Sequence, residues 1–285
     1  MYHRYALVLS ILFRRKKELQ LIMLKSLLRA MTELTSRKWI SRITGAFAQS
    51  RGSRIFIRKF ASIYGIKVAD AEKPIEQYRT LNEFFTRRLK ENLRHIDTTA
   101  STLVSPVDAL ITGCGVVHNG TIVNVKGQDY SISELLADEV QAKKFLNGYY
   151  YVLYLSPTDY HRIHTPIEGT IIGRVHLPGK VYPVNNFGLT HMKKVLSRNE
   201  RLITYINNNM NTVAAVKVGA MNVSSIHYVH EHKVQVERGE ELAYFAFGST
   251  VVLLTETNSY EADPTVQLNS KVLMGQKLGT MVNKS

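Results

Sequence analysis

Ser249 stands in a Gly248-Ser249-Thr250 tripeptide inside an apolar, strand-like run. Ala243-Tyr244-Phe245-Ala246-Phe247 precedes it and Val251-Val252-Leu253-Leu254 follows it. A polar triplet in such a run needs hydrogen-bond partners or a chemical reason to be there. A serine after glycine has such a reason, because its hydroxyl can attack the preceding carbonyl, which glycine leaves unshielded. A hydroxyl is a weak nucleophile and needs a base, itself oriented by a third group. Two other segments supply those residue types: Ser105-Pro106-Val107-Asp108 and Tyr160-His161-Arg162-Ile163-His164. The order Asp, His, Ser is an order in the chain only and does not bring the three together.

Taken singly, each residue has an ordinary reading. An aspartate after Ser-Pro is usually a cap or an Asx-turn. His161 and His164 are three apart, but no cysteine or acidic partner lies at metal-site spacing, so no metal is expected. They read either as histidines without a role or as two bases held on a fixed loop, since Ser156-Pro157 precedes them and Thr165-Pro166 follows. The single Cys114 excludes an internal disulfide framework and fits a reducing compartment. It has no acid–base pair beside it in sequence and is a poorer nucleophile candidate than Ser249.

The elements that must position these groups divide the chain in two. From about residue 100, short β-rich runs alternate with turns marked by Gly, Pro and Asn. The runs are Ala109–Val117, Thr121–Val125, Tyr149–Leu155, Thr170–His176, Val213–Val218, Lys233–Val236, Tyr244–Thr255 and Lys271–Leu273. One helix is expected over Ser131–Phe145, capped by Ser131 or Ser133. The pattern predicts an α+β protein: basic amphipathic N-terminal helices followed by a mainly antiparallel β body. The expected divisions are a helical region over 23–95 and a β-rich domain over 96–285. Residues 1–22 read equally well as an upstream extension of a chain starting at Met23 and as part of the chain proper. There is no G-x-G-x-x-G, P-loop, internal repeat or low-complexity linker.

The charge is as uneven as the pattern. Net charge is +14, and residues 1–60 hold fourteen of the 37 Lys/Arg but only two of the 23 Asp/Glu. Leu24, Leu27, Leu28, Met31 and Leu34 fall at helical spacing, as do Trp39, Ile43 and Phe47, and again Ile55, Phe56, Phe60 and Ile63, with basic residues between. Basic amphipathic helices carrying Trp and Phe suit an anionic membrane surface. A helix packed on the domain with a solvated basic face is the plainer reading. Nucleic acid is not expected, since no recognition motif is present. The apolar run Tyr5–Phe13 is far shorter than the ~20 residues a spanning helix needs, and Arg14-Arg15-Lys16-Lys17 follows it directly.

Five segments in order now carry a family resemblance: Phe84-Phe85-Thr86-Arg87-Arg88-Leu89, Ser105-Pro106-Val107-Asp108, Tyr160-His161-Arg162-Ile163-His164, Val218-Gly219-Ala220-Met221-Asn222-Val223 and Phe247-Gly248-Ser249-Thr250. From about Leu24 to the C-terminal end the chain resembles the pyruvoyl-dependent phosphatidylserine decarboxylases of the short bacterial type. It departs in having Ala109 where the family usually has glycine, and Phe247 where many relatives have leucine. The resemblance implies a zymogen that cuts itself between Gly248 and Ser249 into β and α chains. His164, oriented by Asp108, would deprotonate Ser249, and the pyruvoyl cofactor would be made from Ser249. A Schiff base to that group would carry the conversion of phosphatidylserine to phosphatidylethanolamine, with His161 as the proton donor. Gly219, Ala220, Met221 and Asn222 would line the substrate site. The implied setting is peripheral, on the cytoplasmic face of the cell membrane, with phosphatidylserine in an anionic leaflet as partner and a homodimer left open. The alternative is a non-catalytic membrane-associated β protein, because Lys271–Gly279 resembles the strand-turn-strand of carrier-type folds. A conventional serine hydrolase is a third reading, and it lacks a G-x-S-x-G elbow.

Overall fold

The computed structural model describes residues 38–283 except 126–127, 185, 210, 221–225 and 246–248, with side chains described from residue 43 onward and not at 123–124 or 186–187. The architecture is α+β. Helices at Lys38–Gln49, Arg51–Phe56, Ile57–Tyr64 and Leu81–Phe85 precede the strands, which begin at Thr102. Residues 1–22, and residues 23–37 of the expected helical region, lie outside the described residues.

The frame is an eight-stranded antiparallel sheet. Its spatial order is Gln235–Val236, Gly169–Leu177, Arg201–Asn207, Thr212–Gly219, Ser249–Thr255, Tyr149–Leu155, Ala109–Val116 and Lys271–Val272. The Ser249–Thr255 strand lies between Tyr149–Leu155 and Thr212–Gly219 and is buried along its whole length. That burial on both faces explains why its sequence is a continuous apolar run and not an alternating one. Alternation along the strand sends Val252 and Leu254 to one face, where they pack with Ala214, Val216, Leu135, Phe145 and Leu196. Val251 and Leu253 face the other way, among Leu153, Leu155, Ile163, Ala243, Phe245 and Leu278.

Two three-stranded sheets cover that second face. One is ordered Ile226–Tyr228, Glu241–Phe245, Arg162–His164, and the other Thr102–Val104, Lys277–Met281, Tyr260–Ala262. The expected strand over Tyr244–Thr255 is therefore two strands in two sheets. Glu241–Phe245 belongs to the cover and Ser249–Thr255 to the frame, and the chain passes between them across 246–248. Likewise Lys271–Val272 pairs with Ala109 and Leu110, while Lys277–Met281 pairs with the other cover sheet. The two do not form the hairpin that suggested a carrier-type fold.

The helix expected over Ser131–Phe145 is also two. Ile132–Leu136 ends at Ala137, which adopts left-handed backbone (φ 51), and Asp138 then caps Glu139–Lys144 by accepting from the N–H groups of Val140 and Gln141, both at 2.9 Å. Periodicity alone hid a break that the capping residue Asp138 marks. Ser131 is the cap of the first helix. The Arg201–Asn207 strand, next to the Thr212–Gly219 strand, is absent from the sequence expectation.

Candidate active site

Ser249 opens the central strand, with Leu155 opposite it on one side and Gly219 on the other. By alternation with Val251 and Leu253 it faces the cover sheets. Its side chain is fully buried, and neither its Oγ nor the Thr250 hydroxyl has a hydrogen-bond partner among the described residues. A buried, unpaired hydroxyl costs stability, so it points to a chemical reason for the residue. Of the expected lining, Gly219 lies beside Ser249, with its carbonyl accepting from Asn199 Nδ2 at 2.8 Å, and Ala220 is buried in the core. Met221, Asn222 and Gly248 lie outside the described residues.

His161 is reached through a short capped turn. After Leu155, the Ser156 N–H and hydroxyl both donate to the Asp159 carboxylate at 2.7 Å, closing the Ser156–Asp159 loop. The Ser156 carbonyl then accepts from His161 Nε2 at 2.9 Å. That tautomer leaves a lone pair on Nδ1, which is buried without a partner among the described residues. The ring lies against Phe85, with centroids 4.0 Å apart, and the Phe245 N–H donates to the His161 carbonyl at 3.2 Å. His161 is thus tied at one end to the residue after Leu155, which pairs with Ser249, and at the other to Phe245. Burial, and then the nearby Arg87 charge, push its pKa down to about 3.

His164 is held differently. Its Nδ1–H donates to the Gly239 carbonyl at 2.7 Å, so Nε2 carries the lone pair and accepts from the Tyr160 hydroxyl at 3.1 Å. Gly239 can present its carbonyl this way because it sits at φ 77, and a Cβ there would meet Ile96 at 2.4 Å. Burial lowers the His164 pKa first, opposed by the Gly239 bond and by Asp108. Burial also raises the Tyr160 pKa to about 12. Both histidines are therefore neutral rings with one committed N–H and one lone pair.

Asp108 lies near His164 but not on it. The His164 N–H donates to the Pro106 carbonyl at 2.8 Å, which anchors the Ser105–Asp108 segment beside the ring. The Asp108 carboxylate itself accepts from Arg94 Nε at 2.8 and 3.1 Å, from Arg94 Nη2, and from the Met274 N–H at 2.9 Å. In this arrangement the carbonyl of Gly239, not Asp108, orients the His164 ring directly. Ala109, the departure from the family glycine, is an ordinary strand residue paired with Val272, so alanine costs little there.

Three contributors escaped the sequence reading: Arg94, Tyr160 as a partner of His164, and Gly239. Tyr160 stands in the Tyr160–His164 segment, and its spacing of four from His164 is the signal available in sequence. Arg94 lies in an irregular stretch with nothing to single it out. Phe85 belongs to the Phe84–Leu89 segment, where the sequence alone gives it no role.

A sequence model of the phosphatidylserine decarboxylase family matches residues 81–280. The chain is 45% identical over 262 residues to a phosphatidylserine decarboxylase proenzyme of Anoxybacillus flavithermus, covering 92% of this chain and 98% of that protein. It is 44% identical over 258 residues to proteins of the same description from Bacillus thuringiensis and Bacillus cereus, covering 90% of this chain and 98% of each. This chain belongs to the phosphatidylserine decarboxylase family.

Proposed function

We infer that the chain is the proenzyme of a phosphatidylserine decarboxylase, which converts phosphatidylserine to phosphatidylethanolamine after cutting itself between Gly248 and Ser249. The observation that carries the self-processing part is the buried Ser249 hydroxyl at the start of the central strand, unpartnered among the described residues, with neutral His164 in the Arg162–His164 strand of the cover sheet and neutral His161 just before it. A side chain with these surroundings fits the precursor of a pyruvoyl group. Such a group supplies a carbonyl electron sink for the pair released when carbon dioxide leaves.

The chain's own groups make the cut. A base takes the Ser249 hydroxyl proton, Oγ attacks the Gly248 carbonyl carbon, and an ester replaces the peptide bond. Removal of the Ser249 α-proton expels the Gly248 carboxylate and leaves a dehydroalanine. Tautomerisation and hydrolysis then release ammonia. We assign the first proton transfer to His164 Nε2, with Asp108 and Arg94 setting the field beside it. His161 is assigned the proton returned to the substrate carbon, a role worth about 10²–10⁴-fold in rate. A reversed assignment has one observation in its favour: the His161 Nδ1 lone pair is unpartnered among the described residues, whereas His164 Nε2 is occupied by Tyr160.

Membrane docking is assigned to the first helices. Ile43, Phe47, Ile55, Phe56, Ile63 and Tyr64 are exposed there, with Arg51, Arg54, Arg58 and Lys59 exposed among them. An apolar face rimmed by cations suits an anionic lipid surface. No described helix is long and apolar enough to cross a membrane.

Intact-mass measurement of the purified protein tests the processing. Wild type is expected as two chains, the smaller being residues 249–285 with a blocked N-terminus, and Ser249→Ala as one. A wild type that stays whole with a free serine hydroxyl and still decarboxylates would sink the pyruvoyl reading.

A further inference from the structure

The Phe84–Leu89 segment has one member the chemistry above does not use. Arg87 follows the Leu81–Phe85 helix, whose entry is set by Thr80 accepting from the Glu83 N–H at 3.0 Å. The same turn that stacks Phe85 on His161 carries Arg87 inward, where it is 5% exposed. Its guanidinium lies 5.3 Å from the Phe84 ring centroid, and its sole hydrogen bond among the described residues is Nη2 to the Thr158 carbonyl at 3.3 Å. Nε and Nη1 are buried with no acceptor among the described residues. No carboxylate forms an ion pair with it in the described structure, although Asp108, Asp159 and Asp70 act on it at longer range. A buried guanidinium with unpaired donors is destabilising. That cost is offset when a ligand brings the missing acceptors.

The ligand has somewhere to sit. Arg87 lines a cleft of about 470 Å³ with Lys67, Arg94 and Lys271, and with three carboxylates, of which Asp108 is taken by Arg94 and Asp159 by Ser156, while Asp70 remains. Lys67 and Lys271 are exposed at its rim, and Tyr160 connects it to His164. We propose that Arg87 is the phosphate-binding residue of the substrate site, gripping the headgroup phosphodiester through its unpaired guanidinium N–H groups, with Lys67 and Lys271 drawing the anion in. This inference rests on the decarboxylase reading above. A planar fork of N–H donors matches two phosphate oxygens.

The substrate carries two anions, the phosphodiester and the carboxylate, and the reaction decides between them. As carbon dioxide leaves, the carboxylate loses its charge. A cation clamped on it would stabilise the ground state more than the transition state and slow the step. A cation on the phosphate, whose charge does not change, binds both states equally. Arg87 therefore supplies affinity and placement without opposing the chemistry.

The test uses the self-processed, full-length enzyme with a soluble short-chain phosphatidylserine and an O-acylserine that lacks phosphate. Arg87→Met should raise KM for the phospholipid about tenfold or more and leave KM for the phosphate-free substrate unchanged, while any kcat change from losing its charge beside His161 should be the same on both substrates. Arg87→Lys should recover part of the loss. Inorganic phosphate and glycerol 3-phosphate should compete with the phospholipid in wild type and lose that competition in Arg87→Met. Unchanged KM in a folded, processed Arg87→Met overturns the proposal, even if free phosphate binds the wild type. Equal rises in KM on both substrates also overturn it, since they mark a structural role. If neither Arg87 variant folds, two further measurements decide. Absence of phosphate competition in wild type, or an unaltered KM in Lys67→Met/Lys271→Met, overturns the site. A wild type that processes itself but leaves phosphatidylserine untouched defeats the functional reading instead. In that case calorimetric titration with inorganic phosphate, wild type against Arg87→Met, still decides the Arg87 site, and equal binding overturns it.

Discussion

The two histidines show what a tautomer can settle. Each ring spends one N–H on a backbone carbonyl, Ser156 for His161 and Gly239 for His164, and so each keeps one lone pair. Because burial holds both neutral, His164 can take the Ser249 proton without first losing one, whereas His161 must first pick up a proton on Nδ1 before returning it to the substrate carbon. His164→Ala and Asp108→Asn are expected to leave mostly uncut precursor. His161→Ala should still cut and then turn over phosphatidylserine poorly. A gel for processing, run beside a carbon dioxide release assay, reads both steps. The opposite pattern would reverse the two roles, and no effect on either step would remove the histidines from the mechanism. The same burial has a stability consequence. The folded pKa of His161 is about 3, below its ordinary 6.5, so between those values the unfolded chain binds more protons. Its contribution is complete above pH 6.5 and is lost as pH falls toward 3, and His164, also depressed, acts in the same direction. Denaturant unfolding against pH should show up to about 1.4 kcal/mol per pH unit from such a group in this window, and His161→Asn should lose that share. An unchanged slope in the variant would mean that His161 is charged or solvated in the fold.

At the scale of elements, the proposed cut falls where the chain leaves one sheet for another. Glu241–Phe245 is paired with Ile226–Tyr228 and Arg162–His164, whereas Ser249–Thr255 is paired on both sides within the large sheet. Residues 249–285 also supply Lys271–Val272 to the frame and Lys277–Met281 to a cover sheet. A severed piece so placed should stay bound. The two chains are expected to co-elute in native size exclusion and to separate only under denaturation. Release of the small chain from native enzyme would contradict the pairing. This division was hidden in the sequence because Tyr244–Thr255 reads as one apolar strand. Apolar character reports burial, and burial is common to both sheets; it does not report the partner.

At the scale of the whole molecule, exposed Arg51, Arg54, Arg58 and Lys59 share the first helices with exposed Ile43, Phe47, Ile55 and Ile63. Exposed basic residues near an anionic leaflet contribute about 1 kcal/mol each and are screened over a Debye length of about 8–10 Å at ordinary ionic strength. Neutralising Arg37, Lys38 and Arg42 should weaken binding to anionic vesicles and make it less salt-dependent, with self-cleavage intact. Replacing Ile43, Ile55 and Ile63, which are 62%, 77% and 67% exposed, by serine should weaken it further. Vesicle sedimentation measures both. Equal binding to neutral and anionic vesicles at low salt would argue against the electrostatic part.

The sequence by itself determined the class of the protein and its chemical inventory. Helices before strands, an uneven charge, a Gly-Ser pair in an apolar run, and an aspartate and two histidines in fixed order are local or compositional facts. They are read without knowing what touches what. Only the tertiary structure decided the pairings. It placed Gly219 and Leu155 beside Ser249, gave the Asp108 carboxylate to Arg94, and set the His164 tautomer through Gly239, 75 residues along the chain. It also buried Arg87 beside His161. Hydrogen-bond partners and desolvation depend on which distant segments share an interface. In an antiparallel frame with two cover sheets, strand pairing chooses those segments, and residue spacing does not encode that choice.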